Sequence, residues 1–557
     1  MRPKRSNFRR RKSNRSTSSN GSGGRRRFNQ DRWTKRKARR EADLDSLIEQ
    51  SPPAFRNLFI KEPKLVFAHN CTAVDPRTGI EEFGPFLTVN PTIRLGIVGT
   101  GHGIDAFRAY LETAQNPVLP GLNQRGKLYD PFVFPDFPGT NSSAAFRVSF
   151  VTDTTMQKVI PADFFENAVR SVNVSTKLRQ VVELVTKEIE ALKDAEPEPH
   201  VIVVVMPPVV ERECASVGTA FRGKKLILTP TQKYERRMDR QKEKTGQEFF
   251  PFDFSDALVE GQKGFWNIHH ALKAHAMKFD LPTQLIWENR LHGIGLTHDP
   301  ASMAWNLFTA LYYKAGNIPW QLQHIPHGTC YVGVSFYKES PYESADTQTS
   351  LAQIFSGAGE GLVLKGRKAV IDKKRDKKAH LDAPGAEQLL TQAIDLYASH
   401  NQNTRPGRVV IHKTSRYWSE ELQGFKKALG SIRLYDFLTL EKLETRFMRL
   451  GKEPPLRGTV VTLAPSHHAI FTVGYIPYLR AYPGFRIPNP LEIIEHYGES
   501  PTELICQEIM ALTKINWNSC SFGSSDPITT LFARTVGRIL TEIPEGVEPK
   551  TKYRFYM

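Results

Sequence analysis

CYVGVSFYK (330–338), TSLAQIF (349–355) and GLVLKG (361–366) are three apolar, β-branched runs joined by short polar connections. That spacing predicts three successive strands paired antiparallel. Downstream the period changes. PGAEQLLTQAIDLYASH (384–400) places Leu389, Leu390, Ala393, Ile394 and Tyr397 on one helical stripe, and RVVIH (408–412) is again a strand. SEELQGFKKALG (419–430) then sets Leu422, Phe425 and Leu429 in helical register and closes on Gly430, a plausible C-terminal cap. SIRLYDFLTL, RGTVVTLA and HAIFTVGY add strands, and two helices complete the segment.

Three antiparallel strands followed by alternating helix and parallel strand form the ribonuclease H arrangement. Such a sheet carries carboxylates at the ends of its first and fourth strands, holding two Mg²⁺ or Mn²⁺ ions roughly 4 Å apart. The fourth strand here runs into HKTSRYWSEE and delivers Lys413, Thr414 and Ser415 in their place.

Working toward the N-terminus, IRLGIV (93–98), FRVSFV (146–151), VIVVVM (201–206) and KLILTP (225–230) read as buried strands. The runs IDAFRAYLETA (104–114) and NAVRSVNVSTKLRQVVELVTKEIEALKDA (167–195) read as helices between them. Alternating strand and helix predict a mostly parallel sheet covered on both faces, one Rossmann-like block over about 90–300. Its first strand enters GTGHGIDAF (99–107), but Gly99, Gly101 and Gly103 are not spaced as G-x-G-x-x-G. No acidic residue stands at the end of a second strand, so a tight strand-to-helix turn is preferred over dinucleotide binding.

In FWNIHHALKAHAMKFDLPTQLIWENRL (265–291), His269 and Lys273 stand at i and i+4 of a helix, and Gln284 opens the next strand. Lys314 lies in the helical run 303–320. Two lysines, an amide and an imidazole converging at a helix end can hold a terminal phosphate and stack its first base, although lysines at such spacing are more often merely solvated.

The chain has 557 residues, enough for two to four domains, and a net charge of +18. Residues 1–40 hold 17 Lys and Arg against the single acid Asp31, which leaves only +2 for the other 517. That tail, with STSSNGSGG at its centre, is too polar to fold and is expected to be a disordered basic arm, a sequence-independent binder of phosphate polymers. A merely solubilising extension is the plainer alternative. The five cysteines, Cys71, Cys214, Cys330, Cys506 and Cys520, form no C-x-x-C pair and are expected to be plain thiols. With no signal peptide or membrane-spanning run, the expected location is the cytoplasm.

The motifs YVGVSF (331–336), RVVIHKTS (408–415), PPLRGT (454–459), EIMALTKINWN (508–518) and PIT (527–529), preceded by the His269, Lys273, Gln284, Lys314 set, resemble the MID and PIWI domains of prokaryotic Argonautes. KEPKLVFAHNCTAVDPRTGIEEFGPF (61–86) and the terminal YRFYM resemble the short members that lack a PAZ domain. The resemblance covers about 62–557. Behind the basic arm (1–45) read from composition, it implies an N-terminal linker segment (46–92), a Rossmann-like MID domain (93–300) and a ribonuclease H-like PIWI domain (301–557).

It also implies roles. His269, Lys273, Gln284 and Lys314 match the pocket for a guide's 5′-phosphate, and the terminal carboxylate of Met557 matches a group that helps ligate Mg²⁺ beside that phosphate. The family's catalytic tetrad is Asp-Glu-Asp followed by Asp or His. Its first aspartate falls on Ser335 and its second on Thr414, neither of which replaces a metal-bridging carboxylate. Glu360 stands near the position of the glutamate, while Asn516, Asn518 and Asp526 stand near the last. Lys413 and Ser415 remain suited to a nucleic-acid backbone, although Ser415 could equally cap the next helix. The expectation is a catalytically inactive Argonaute with an RNA guide and a complementary DNA target, sequence being read by base pairing. It would signal to an effector protein with a PAZ-like docking region and a sirtuin-like, TIR or nuclease domain, in defence against plasmids or phages. The alternatives are a guided nuclease with an atypical metal site and a non-guided binder acting through the arm.

Overall fold

A computed structural model describes residues 56–121, 130–141, 145–171, 174–215, 267–294, 299–337, 349–355 and 361–557, apart from 324, 327, 373–374, 376–377, 448–453, 485–486 and 545. The expected basic arm, the expected strand at 225–230 and Glu360 lie outside these residues. The portion from Asn57 to Met557 is one compact unit built on two large sheets.

In the first sheet the parallel strands run in the order Ser149–Val151, Thr92–Gly99, Val201–Met206, Thr283–Trp287, and Gln157–Val159 pairs with the far half of Thr92–Gly99. The strand VIVVVM is apolar throughout because both of its faces are covered. Val201, Val203 and Val205 face a core shared with Phe107 and Trp305, whereas Ile202, Val204 and Met206 face one shared with Leu178, Val181 and Leu272. The helical pattern expected over 167–195 is divided between Ala162–Ala168 and Val174–Lys193. The glycine-rich turn is the predicted strand-to-helix connection: Thr100 caps the helix Gly101–Thr113 by accepting from Gly103 N–H at 3.0 Å.

Pro300–Lys314 belongs to this layer by its contacts. Trp305 meets Phe137 edge-on at 5.2 Å between ring centroids, and Tyr312 exchanges a 2.7 Å hydroxyl hydrogen bond with Thr88. The border expected at 300 therefore separates this helix from the aromatic residues it packs against.

In the second sheet Thr329–Tyr337 pairs antiparallel with Thr349–Phe355, which pairs antiparallel with Gly361–Lys368. On its other side Thr329–Tyr337 runs parallel to Arg408–Lys413, and that strand runs parallel to Leu434–Lys442. Leu491–Gly498, His467–Ile470 and Thr459–Ala464 extend the sheet antiparallel. One face carries Ala383–His400 and Ser419–Leu429 over Val332, Val334, Val409 and Ile411. The other face packs Tyr331 and Val410 with Ile505, Ile509 and Val536 from Thr502–Leu512 and Ala533–Thr541.

The motifs meet in three dimensions. Arg408 of RVVIHKTS forms buried ion pairs with Asp436 at 2.6 Å and with Glu508 of EIMALTKINWN, and Tyr331 of YVGVSF donates to Glu508 at 2.8 Å. His412 bonds Thr529 of PIT at 2.7 Å. Gly333 is required because the Thr529 carbonyl occupies the space a Cβ would need. Arg457 of PPLRGT and Lys514 both pair with Glu62, at 3.0 and 2.7 Å, and Lys514 also donates to the Val74 carbonyl at 2.6 Å. These cations tie the linker segment to the second sheet.

Candidate nucleic-acid interface

His269, Lys273, Gln284 and Lys314 come from three elements that the first sheet brings together. Asn267 caps the helix Ile268–Ala276, accepting from His269 N–H at 2.8 Å, and so fixes where the helix presents His269 and, one turn on, Lys273. Gln284 lies on the neighbouring strand Thr283–Trp287, and its Oε1 accepts from Lys314 Nζ at 2.6 Å. The helix start is pinned from the second sheet's side: Asn267 N–H donates to Glu542 at 3.2 Å, and Ala533–Thr541 packs along Ile268–Ala276.

The electrostatics are those of a hole for an anion. Lys273 and Lys314 are 3% and 1% exposed, and among the described residues no carboxylate lies within ion-pair range of either. Buried ammonium groups normally have partners. Burial lowers Lys273 to about 7. Burial and the charge of Lys273 hold Lys314 well below its ordinary value, and burial with the lysine charges holds His269 far below that of a free imidazole. A phosphate entering this site would restore the lysine charge and draw protons in.

Met557 is 3% exposed, and the turn Tyr553–Phe555 before it packs against Pro300–Lys314. No hydrogen bond or ion pair joins Met557 to Lys273 or Lys314 among the described residues. The side chains alone do not fit a resident Mg²⁺, because the one oxygen in the set, Gln284 Oε1, is taken by Lys314 and the other groups are nitrogen donors or cations.

In the second sheet Val334 lies opposite Lys413 in parallel register; Ser335 is the next residue of the first strand, and Thr414 is the first residue past the end of the second. Ser335 Oγ is buried without a hydrogen-bond partner, and Thr414 is exposed. Of the other positions, Asp526 pairs with Lys442 at 3.0 Å and Asn516 Oδ1 accepts from the Asn518 N–H at 3.1 Å.

Lys413 and Ser415 are not placed as expected. Side chains alternate along a strand, so Lys413 points away from Thr414 and into the core. It is fully buried between the Phe336 and Tyr417 rings, with Nζ 2.6 Å from both oxygens of Glu421 and 3.3 Å from His380. Burial alone would raise the Glu421 carboxyl, but the His380 hydrogen bond and the Lys413 charge hold it below its usual range. Ser415 is buried and directed at the Ala379 carbonyl at 3.5 Å, so it neither reaches a phosphate backbone nor caps the next helix. That cap is supplied by Glu421, which accepts from Trp418 N–H at 3.0 Å. The sequence signal for the Lys413 pair was the acidic residue eight positions on, SRYWSEE, but nothing local says that the two side chains turn toward each other.

No family model matches the chain. The Argonaute protein of Aquifex aeolicus (strain VF5) is 24% identical over 295 residues, covering 51% of this chain and 38% of that protein. Among solved structures, Clostridium butyricum Argonaute bound to a guide DNA and a 19-mer target DNA superposes with a TM-score of 0.58 at 14% identity, over 89% of this chain and 54% of that one. Drosophila Piwi gives 0.52 at 12% identity, over 90% and 56%. The chain thus spans roughly half the length, or less, of these relatives. With the two sheets, their order and the meeting of the motifs, these similarities identify the chain as a homologue of the Argonaute proteins, built on their MID–PIWI fold.

Proposed function

We propose that the chain holds the 5′-phosphate of a guide strand between Lys273 and Lys314 and presents the guide for pairing with a complementary strand that it does not cut. The observation that carries this reading is the pair of buried lysines with no carboxylate in ion-pair range among the described residues, next to Gln284 and His269. A dianionic phosphate completes that charge balance, with ammonium donors placed for charge-assisted hydrogen bonds. Mg²⁺, in this reading, accompanies the phosphate and takes its oxygens from it. Its effect on affinity therefore appears only with 5′-phosphorylated guides.

The absence of cutting rests on Ser335 and Thr414, hydroxyls where a metal pair needs carboxylates. The guide is RNA and the target DNA, and the output against plasmids or phages comes from an associated effector with a PAZ-like docking region. Sequencing the nucleic acid and identifying the chains that co-purify from the native source tests these assignments. The pocket itself is tested by Lys273→Ala, which should weaken a 5′-phosphorylated guide at least tenfold more than its 5′-hydroxyl counterpart. Equal losses would remove the assignment.

A further inference from the structure

The glycine-rich turn GTGHG ends at a cluster that guide binding does not use. His102 is the second residue of the helix Gly101–Thr113, while Glu288 and His292 belong to the turn that follows the strand Thr283–Trp287. Both elements begin at the carboxyl ends of parallel strands of one sheet, Thr92–Gly99 and Thr283–Trp287, which flank Val201–Met206, and this brings residues far apart in sequence together. One donor atom from each of the three side chains lies within 4.8 Å of the others. His102 Nδ1 is 2.7 Å from Glu288 Oε1, and the two imidazole rings are 5.5 Å apart between centroids. Glu288 and His292 stand four positions apart on one helical turn and so share a face.

Three features set this cluster apart from a surface ion pair. The Glu288 side chain is only 9% exposed, and His102 is its sole ionic partner among the described residues. No hydrogen bond reaches its Oε2 among the described residues, which leaves that oxygen open to water or to a ligand. Gly103 keeps the space open: a Cβ there would lie 3.3 Å from Glu288 Oε2 and 3.0 Å from Val205 Cγ1. The helix N-terminus contributes partial positive charge toward the carboxylate, about half of one unit, and leaves the remainder unbalanced.

We propose that His102, Glu288 and His292 form a divalent transition-metal site, with Zn²⁺ the ion its chemistry suits. Two imidazoles and one carboxylate are the ligands of borderline ions rather than of Mg²⁺ or Ca²⁺, which take oxygen. Tetrahedral coordination at roughly 2.0–2.1 Å puts ligand atoms about 3.3 Å apart. His102, with a side chain 74% exposed, and the exposed His292 reach that spacing by rotating their rings, and water takes the fourth position. The bound ion clasps the start of one helix to the end of the strand that carries Gln284.

The test is a titration of the untagged full chain with Co²⁺, which reports nitrogen and oxygen coordination through visible d–d absorption. The expected result is one equivalent bound and displaced by Zn²⁺, with His292→Ala and His102→Ala each weakening binding by at least about 100-fold, the upper end of what losing a mere hydrogen-bond partner of a ligand costs. Zn²⁺ should raise the melting temperature of the wild type and not of these variants. His292 is exposed and makes no hydrogen bond to Glu288, so the melting temperature of its variant in chelator should match the wild type and separate a lost site from a lost fold, whereas His102→Ala also removes the partner of Glu288 and should melt lower. Absence of Co²⁺ absorption in the wild type, or undiminished binding in both variants, would leave a simple histidine–carboxylate hydrogen bond and overturn the proposal.

Discussion

Raising the pH through neutrality should erode the proposed preference for a 5′-phosphate. In the empty pocket burial holds Lys273 near 7. A bound phosphate stabilises the charged form, so binding takes up a proton whenever the free lysine is neutral. Going from pH 7 to 9 takes the protonated fraction of the free pocket from about one half to about one in a hundred. The ratio of affinities for 5′-phosphorylated and 5′-hydroxyl guides should then fall on the order of 10- to 50-fold for this one proton. Lys314, lowered by burial and by Lys273, steepens the slope. Below about 6 the phosphate itself takes up its second proton, so the preference should peak between roughly 6 and 7.

Fluorescence anisotropy at constant ionic strength measures this ratio, which cancels effects common to both guides. Lys273→Arg keeps a charge that is not lost in this range and should flatten the profile by about one proton. A ratio that stays level from pH 7 to 9, or a slope unchanged in Lys273→Arg, would refute the reasoning. The stability of the free protein supplies the sign check. Lys273 sits below its ordinary 10.5, so the unfolded chain holds more protons between about 7 and 10.5. The group therefore adds stability as pH rises across that window, by up to roughly 1.4 kcal/mol per unit, and a bound 5′-phosphate should abolish the gain.

Lys413→Ala should destabilise the fold by about 3–5 kcal/mol in urea unfolding, because it strands the buried Glu421 carboxylate. The same change should leave the 5′-phosphate preference intact, whereas a selective loss of target binding would restore the discarded role in backbone contact. Guide-loaded protein given a labelled complementary strand and Mn²⁺ should leave it uncut, since Ser335 and Thr414 offer no carboxylate; any cut at a fixed distance from the guide's 5′ end contradicts that.

The placing of His269 and Lys273 on one side of a helix was legible in the sequence because their spacing is local, whereas the approach of Gln284 to Lys314 was not. His269 and Lys273 are one helical turn apart, and a cap residue, Asn267, marks where that helix starts. The strands were legible because a buried parallel strand is apolar on both faces, as VIVVVM and RVVIH are. Element ends were less so: FRVSFV forms a strand only over Ser149–Val151, and Arg147 before it takes a left-handed backbone conformation, with φ of 50°. Of the cysteines, four are buried and Cys71 half-buried, all as free thiols. Among the described residues no helix is long and apolar enough to cross a membrane.

What the sequence determined by itself was the order and type of the elements and the chemistry each motif carries, since both depend on periodicity and residue type within a few turns of chain. Tertiary structure alone decided which charged groups end up with partners. Lys413 and Lys273 look alike in sequence and are both buried, yet the first lies against Glu421 and the second faces no carboxylate among the described residues. The cost of burying a charge is settled by whatever lies within a few ångströms. For Lys413 that is a carboxylate brought over by the next helix, and for Lys273 it is burial with no carboxylate of the described residues in ion-pair range.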